Sequence, residues 1–417
     1  MAAAIGLAVA GGFLLAVYVP LAGAGRFGAP GDVPFLIQAH GALQLQGWAG
    51  LFVVGIGFRL APRLTGRPPV PSGVSWAVVS LLVAGTVLRA AGQSLQPLAA
   101  LMRVGFALWA LGSAVAAATW FTYLVRSRHF GAWWLGIAAG ALWWMWWAAW
   151  MALLAVEVED RFLPYARNEP LLWGGMFGAI GNFIWAVQSR AVPNFFGRQP
   201  VPWPHFLPFW AAYNAGLALV VLQATAPLEH PWLQGVGLTS LGLGLGGLVF
   251  LVAALRPDAH RLRPRARPSA RYIAAANWLA LLAAALLAAS GVDALLSGEV
   301  VPLWLRDAAR HSFALGPITM LIIGMAQLIT PIFALGRAEV RRPGILDRAS
   351  PWVLLVAALL RVGASLSEPL LSYAVRMDMA AGSGVLAWLV VASFGWRALQ
   401  ARLNEGRMLE LLAQGAR

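Results

Sequence analysis

The chain has 417 residues, of which 60% are hydrophobic and 11% are charged, and its mean hydropathy is +0.72. Because a soluble chain carries about 25% charged residues, this composition excludes a soluble globular enzyme and a disordered chain. The absence of cysteine excludes disulfides, iron–sulfur clusters, thiolate-bound metals and a cysteine nucleophile. The net charge is +14, and all 30 basic residues are arginine. In a membrane protein such positive charge is typical of cytoplasmic loops.

Apolar runs of about 20 residues, separated by breaks rich in proline, glycine and arginine, predict transmembrane helices. The predicted fold class is an all-α integral membrane protein with twelve spans. We interpret the first span as a retained helix, because it lacks the basic region and cleavage site of a signal peptide. The predicted spans are 3–24, 34–61, 74–95, 99–125, 131–156, 171–192, 205–225, 235–255, 272–292, 308–335, 351–372 and 382–400.

The placement of arginine predicts the orientation of the chain. With a cytoplasmic N-terminus, most of the 30 basic residues fall in inner loops or in the C-terminal tail, as the positive-inside rule requires. An even number of helices then puts both termini in the cytoplasm. The sequence therefore predicts a multi-pass protein of a bacterial inner membrane, with the lipid bilayer and not nucleic acid as its surroundings.

Three spans end with a proline that is followed closely by a glycine and an arginine, and this pattern predicts an internal repeat. The prolines, Pro62, Pro193 and Pro331, are 131 and 138 residues apart (193 − 62 and 331 − 193), which is four helices each time. We therefore expect three pseudo-symmetric four-helix units within one transmembrane domain, 1–417. The units are roughly 1–128, 129–262 and 263–400, and they are followed by a short cytoplasmic tail, 401–417.

Two of the six histidines lie inside predicted spans at similar depth. His40 in the second span and His311 in the tenth precede Pro62 and Pro331 by 22 and 20 residues, which places both in the outer third of the membrane. Ionisable residues are costly there and are usually functional, and two facing imidazoles suit axial ligation of a haem iron. Packing and hydrogen bonding in the core remain the alternative. The other four lie in loops or at span ends: His129, His205, His230 and His260.

The residues around these histidines resemble the second and tenth helices of the haem–copper oxidase subunit I superfamily, and most closely those of its NnrS-like members. The similar segments are 40–48, which reads His-Gly-Ala-Leu-Gln-Leu-Gln-Gly-Trp, and the run of His311, Gly316, Gly324 and Pro331. The resemblance implies twelve helices in three arcs and one low-spin haem b with His40 and His311 as axial ligands. NnrS-like proteins are associated with nitric-oxide resistance, so the resemblance also implies a nitric-oxide response or electron transfer, with a quinol or cytochrome as a possible redox partner.

The chain departs from the oxidase pattern at the second metal centre. Ala309 stands where the superfamily has the histidine of the high-spin haem, and the sixth and seventh spans contain no histidine for copper. We therefore expect one haem and no copper. Asn182, Tyr213 and Asn214 lie where the copper site would be, and we expect them to hydrogen-bond to one another or to bind a small ligand.

Arginines in the outer half of the membrane are candidates to bind haem propionates, because a guanidinium group pairs with a carboxylate through two hydrogen bonds. Arg89 and Arg361 lie in the third and eleventh spans, and Arg103 and Arg310 lie at the outer ends of the fourth and tenth. The alternative is that these side chains extend to the membrane interface. The fifth span carries seven tryptophans, which we expect to face lipid: Trp133, Trp134, Trp143, Trp144, Trp146, Trp147 and Trp150.

The leading functional hypothesis is a membrane haem protein for electron transfer or nitric-oxide response. A divergent oxidoreductase that reduces nitric oxide or oxygen at an unconventional second metal site is one alternative. A twelve-helix transporter or channel is the other, although titratable residues in the middle of the membrane are scarce.

Overall fold

The structure, a computed structural model, describes residues 1–27, 32–225, 230–252, 255, 262, 267–333 and 345–415. Within these ranges the chain forms helices and no strand. Twelve helices are long and apolar enough to cross a membrane, which confirms the predicted all-α membrane fold class. They are α1 (Ala2–Gly23), α2 (Val33–Thr65), α3 (Ser72–Ser94), α4 (Ala99–Val125), α5 (Ala132–Glu157), α6 (Tyr165–Phe195), α7 (Trp203–Thr225), α8 (Pro231–Val252), α9 (Arg267–Ser297), α10 (Leu303–Leu328), α11 (Ile345–Leu366) and α12 (Tyr373–Gln400).

Several helices begin earlier than their apolar runs predicted, and two of these extensions carry buried charged residues. The predicted sixth and tenth spans start at residues 171 and 308, whereas α6 and α10 start at Tyr165 and Leu303. The additional turns carry Glu169 and Arg306, whose charges ended the apolar run in the sequence. Both side chains are buried, so the helices continue because charged residues pair inside the protein.

Successive helices pack against one another, and α12 returns to pack against α1, so the helices close into a ring. Three helices are more enclosed than the rest. Within its most apolar stretch, α2 is 72% buried and α6 and α10 are each 83% buried, whereas the values for the other nine helices are between 22% and 56%. The protein core therefore forms around α2, α6 and α10, which are the three helices that carry the repeated proline.

The three central helices share a local irregularity. Each contains a π-helical segment: Leu43–Gly50 in α2, Gly174–Gly181 in α6 and Ala314–Met320 in α10. These segments begin 19, 19 and 17 residues before Pro62, Pro193 and Pro331 (62 − 43, 193 − 174 and 331 − 314). The match in position supports an internal repeat, and the division into three complete units stays a prediction.

Three of the seven tryptophans of α5, Trp133, Trp144 and Trp147, are buried in the protein, so the expectation that they face lipid is wrong for these three. Trp144 and Trp147 are fully buried, and their rings pack at 5.3 Å from Trp120 and 4.4 Å from Trp109 of α4. Glycines of α6 make room for the remainder of this surface: a Cβ atom added at Gly178 would lie 2.6 Å from Trp143. Because glycine has no side chain, the neighbouring helix leaves room for these large rings to pack against it.

Some features named in the sequence lie outside the described residues. They are Gly336 and Arg337 of the third repeat copy, His260, and most of the arginine-rich loop after α8.

The orientation can be tested at the two ends of α5, because the chain has no native cysteine. Arg128 and Glu159 flank this helix and are exposed. We expect Glu159→Cys to react with a membrane-impermeant maleimide in intact spheroplasts, and Arg128→Cys to react only after permeabilisation. The reverse labelling pattern would contradict a cytoplasmic N-terminus.

Candidate haem-ligating site

The structure places His40 and His311 on two central helices at matched depth. They follow the first residues of α2 and α10 by seven and eight positions (40 − 33 and 311 − 303). At 1.5 Å per residue, both lie about 10–12 Å along the helix from the N-terminal ends of α2 and α10. His40 is within electrostatic reach of His311, and also of Asp307 and Arg361. His311, Asp307 and Arg361 contact one another directly, and His40 lies in the same region.

The His40 ring is held by the backbone of α1. Its Nδ1 atom lies 2.8 Å from the carbonyl oxygen of Gly12, which ends a π-helical segment, Ala8–Gly12. Trp388 of α12 donates its indole N–H to the carbonyl of Val9 in the same segment at 3.0 Å. A π-helical turn spreads the backbone hydrogen bonds, and in α1 two of its carbonyls accept side-chain donors. The irregularity in α1 thus orients His40.

The His311 ring is held by its own helix. Its Nδ1 atom lies 3.0 Å from the carbonyl oxygen of Asp307 and 3.1 Å from Oδ1 of the same residue. Asp307 is one helical turn before His311, so the carboxylate and the ring share one face of α10.

In both histidines, Nδ1 faces an oxygen acceptor, which assigns the ring proton to that nitrogen in the neutral form. Neither Nε2 atom has a hydrogen-bond partner among the residues the structure describes. The side chain of His311 is 26% exposed, so neighbouring side chains do not enclose the ring completely. This donor set fits a metal with two imidazole ligands, since metal-binding histidines usually donate their other nitrogen to a carbonyl or carboxylate.

Asp307 was not identified from the sequence, although its spacing of four residues from His311 was a usable signal. Its Oδ2 atom accepts hydrogen bonds from Arg361 at 2.8 Å and from Ser365 at 2.6 Å. Arg361 also donates to the Ser365 hydroxyl at 2.7 Å. The candidate propionate ligand Arg361 therefore lies in the site and is tied to α10 by an ion pair.

The other candidate arginine, Arg89, lies elsewhere. It is buried in α3, and its guanidinium carbon is 4.7 Å from the centre of the Phe106 ring on α4. It is not among the charged groups near His40. The observed ring contact of Arg89 is with α4, and its role as a haem-binding residue stays a prediction. Arg103 at the outer end of α4 donates to the carbonyl of Val158.

A second charged cluster joins the outer ends of α6 and α10. Glu169 accepts from Arg310 at 2.6 Å and lies 3.6 Å from Arg306, and the indole N–H of Trp173 donates to it at 3.0 Å. The three charged side chains are at least nine-tenths buried. Sequence reasoning considered Arg310 and missed Glu169 and Arg306. One carboxylate between two arginines leaves this cluster with a net positive charge beside Asp307.

The polar residues Asn182, Tyr213 and Asn214, which the sequence analysis compared with the copper position of the oxidases, make hydrogen bonds within the protein. Asn182 and Asn214 exchange amide hydrogen bonds of 2.9 and 3.0 Å, and Trp143 donates to Asn214 at 2.9 Å. Tyr213 donates to the carbonyl of Phe177 at 2.6 Å. The expected hydrogen bonding of Asn182 and Asn214 to each other is thus observed. Across the described parts of the chain, no group of three or more histidine, aspartate or glutamate side chains is arranged to hold a metal ion.

Comparison with known proteins assigns neither a family nor a function to the chain. No protein-family profile matches the sequence, and no curated protein is significantly similar to it. The functional interpretation therefore depends on the residues and their geometry. The other described histidines, His129, His205 and His230, are exposed and lie away from the candidate site.

The buried ion pair of Glu169 allows a direct test of how the central helices are held together. We expect Glu169→Gln to lower the free energy of unfolding by about 3–5 kcal/mol, because it leaves two buried arginines without an anion. The matched control is Glu159→Gln in the exposed outer loop, for which we expect a change below about 0.5 kcal/mol. Unfolding in mixed micelles measures both. Equal stabilities of the two variants would show that the cluster does not hold α6 to α10.

Proposed function

We propose that the chain holds one low-spin haem b between His40 and His311 and acts in electron transfer or in a nitric-oxide response at a bacterial inner membrane. The observation that carries this proposal is the pair of imidazoles at equal depth on α2 and α10. Each ring is anchored through Nδ1 and has an Nε2 atom without a described partner. Structural support comes from the donor set, and the resemblance of the second and tenth helices points to the same cofactor.

The side chains around the site would position the ligands. The carbonyl of Gly12 and the carboxylate of Asp307 fix the two ring planes, and Arg361 fixes Asp307. Arg361 is our first choice for a propionate contact because it pairs with Asp307 beside His311, whereas the guanidinium group of Arg89 packs against Phe106. The bound group would supply one-electron redox chemistry of iron.

Two histidine ligands have a consequence for the chemistry. If His40 and His311 both held the haem, a direct reaction with a gas would require one histidine to leave. His311 is tied to Asp307 in its own helix, whereas His40 depends on α1 for its position. We therefore propose transfer of electrons, with a quinol or cytochrome as the partner, as the default activity.

The two alternatives make different demands on the structure. A gas reductase needs a second metal, and the Asn182–Asn214 amide pair stands at the position where a copper ligand set would be required. A transporter needs titratable groups along a path across the membrane. The charged residues described above cluster near the outer ends of α6, α10 and α11, so no observation favours this alternative over haem binding.

The central test is an optical spectrum of the purified protein from haem-replete cells, with a pyridine haemochrome assay. We expect a low-spin b-type spectrum with one haem per chain. His40→Ala and His311→Ala should each abolish it, while His205→Ala, which removes an exposed histidine, should retain it. A colourless wild-type protein would refute the proposal.

Metal analysis tests the claim that the second centre is lost. We expect one iron and no stoichiometric copper per chain, because asparagine amides and a tyrosine hydroxyl do not reproduce the imidazole ligands that copper prefers. One tightly bound copper per chain would contradict the assignment of Asn182 and Asn214 as a hydrogen-bonded pair.

A further inference from the structure

The two candidate ligands differ in the charge of the side chain or backbone group that faces their Nδ1 atoms. His40 faces the neutral carbonyl of Gly12, which belongs to another helix. His311 faces a carboxylate of its own helix, because Oδ1 of Asp307 lies 3.1 Å from its Nδ1 atom. The site therefore has a neutral side on α1 and a charged side on α10.

The carboxylate of Asp307 is held from α11. Its Oδ2 atom accepts from Arg361 at 2.8 Å and from the Ser365 hydroxyl at 2.6 Å. These two donors occupy one oxygen, so the other oxygen, Oδ1, is left to face the ring of His311. The side chain of Asp307 is 29% exposed, and a partly buried charge is screened less than a charge on the surface.

The backbone of Asp307 supplies a second acceptor for the same ring. Its carbonyl oxygen lies 3.0 Å from Nδ1 of His311. Because this oxygen belongs to the main chain, it is present whichever side chain stands at position 307. The backbone contact orients the ring, and the carboxylate adds a negative charge beside it. A substitution at this position therefore separates the charge from the orientation.

A negative charge beside the N–H of an imidazole makes the opposite nitrogen a stronger electron donor to a metal. A stronger donor stabilises ferric iron more than ferrous iron, because ferric iron carries one more positive charge. Hydrogen bonds and charges near an axial ligand are among the means by which a protein sets the reduction potential of a haem. The carbonyl of Gly12 is neutral, so the same effect is weaker at His40.

We propose that Asp307 is a positioning residue that acts through His311 to lower the reduction potential of the haem. This inference rests on the proposed ligation by His40 and His311. It adds the side chain that sets the direction of electron transfer, since a lower potential favours delivery of an electron to the partner over its retention.

The test is a redox titration of the purified protein, in which the optical spectrum of the haem is followed against the applied potential. Asp307→Asn removes the charge and leaves the backbone acceptor in place. We expect it to raise the midpoint potential by at least about 59 mV, which is a tenfold change in the equilibrium constant for one electron. The matched control is Asp378→Asn on α12, at an exposed aspartate that pairs with Arg26 at 2.9 Å, with the midpoint unchanged.

Asp307→Glu is the second variant, and it keeps the charge. Its additional methylene moves the carboxylate away from the position that Arg361 and Ser365 fix, which weakens its action on Nδ1 of His311. We therefore expect a smaller rise in the midpoint potential than in Asp307→Asn. If Asp307→Asn does not retain haem, a rise in the glutamate variant still supports the proposal, and a wild-type potential in that variant overturns it.

The remaining outcomes separate this inference from the proposed function. An unchanged or lower midpoint potential in haem-loaded Asp307→Asn would overturn the role of Asp307 and leave ligation by the two histidines standing. Loss of haem from both variants would also overturn it, because the carboxylate would then be required for haem binding itself. A colourless wild-type protein would refute haem ligation, and the role of Asp307 with it.

Discussion

The hydrocarbon interior of a membrane offers no water, so every polar group placed there has to be satisfied by the protein itself. This constraint explains most of the features that distinguish the core. Glu169 lies against Arg310, and Asp307 lies against Arg361. The carbonyls of the π-helical segments accept side-chain donors, including Tyr213 and His40. Polar groups that would destabilise isolated helices thus become the contacts that join them.

The same contacts connect the architecture to the candidate site. A regular α1 would keep its carbonyls within the helix, and His40 would lose the acceptor that directs its ring. Asp307 performs this role for His311, and Arg361 holds Asp307 from α11. Along the three central helices, the charged and ligating groups described above lie on the N-terminal side of the π-helical segments. The irregularity that orients His40 therefore lies in α1, whereas Asp307 orients His311 from within α10.

Much of the fold could be predicted from the sequence, because span length and arginine placement follow from the membrane itself. The depth of His40 and His311 followed from counting residues along a helix. Glu169 was missed, since its partner Arg310 is 141 residues away in the chain. The predicted direction of Trp133, Trp144 and Trp147 was also wrong, because lipid and protein interior are equally apolar and the pattern of residues does not distinguish them.

The most direct test of two-histidine ligation is electron paramagnetic resonance of the oxidised protein. The account predicts a single low-spin ferric signal in the wild type. His40→Gly should convert it to a high-spin signal, and free imidazole should restore the low-spin form by filling the space left in front of Gly12. A wild-type protein with only a high-spin signal, or with no ferric haem signal, would contradict the account.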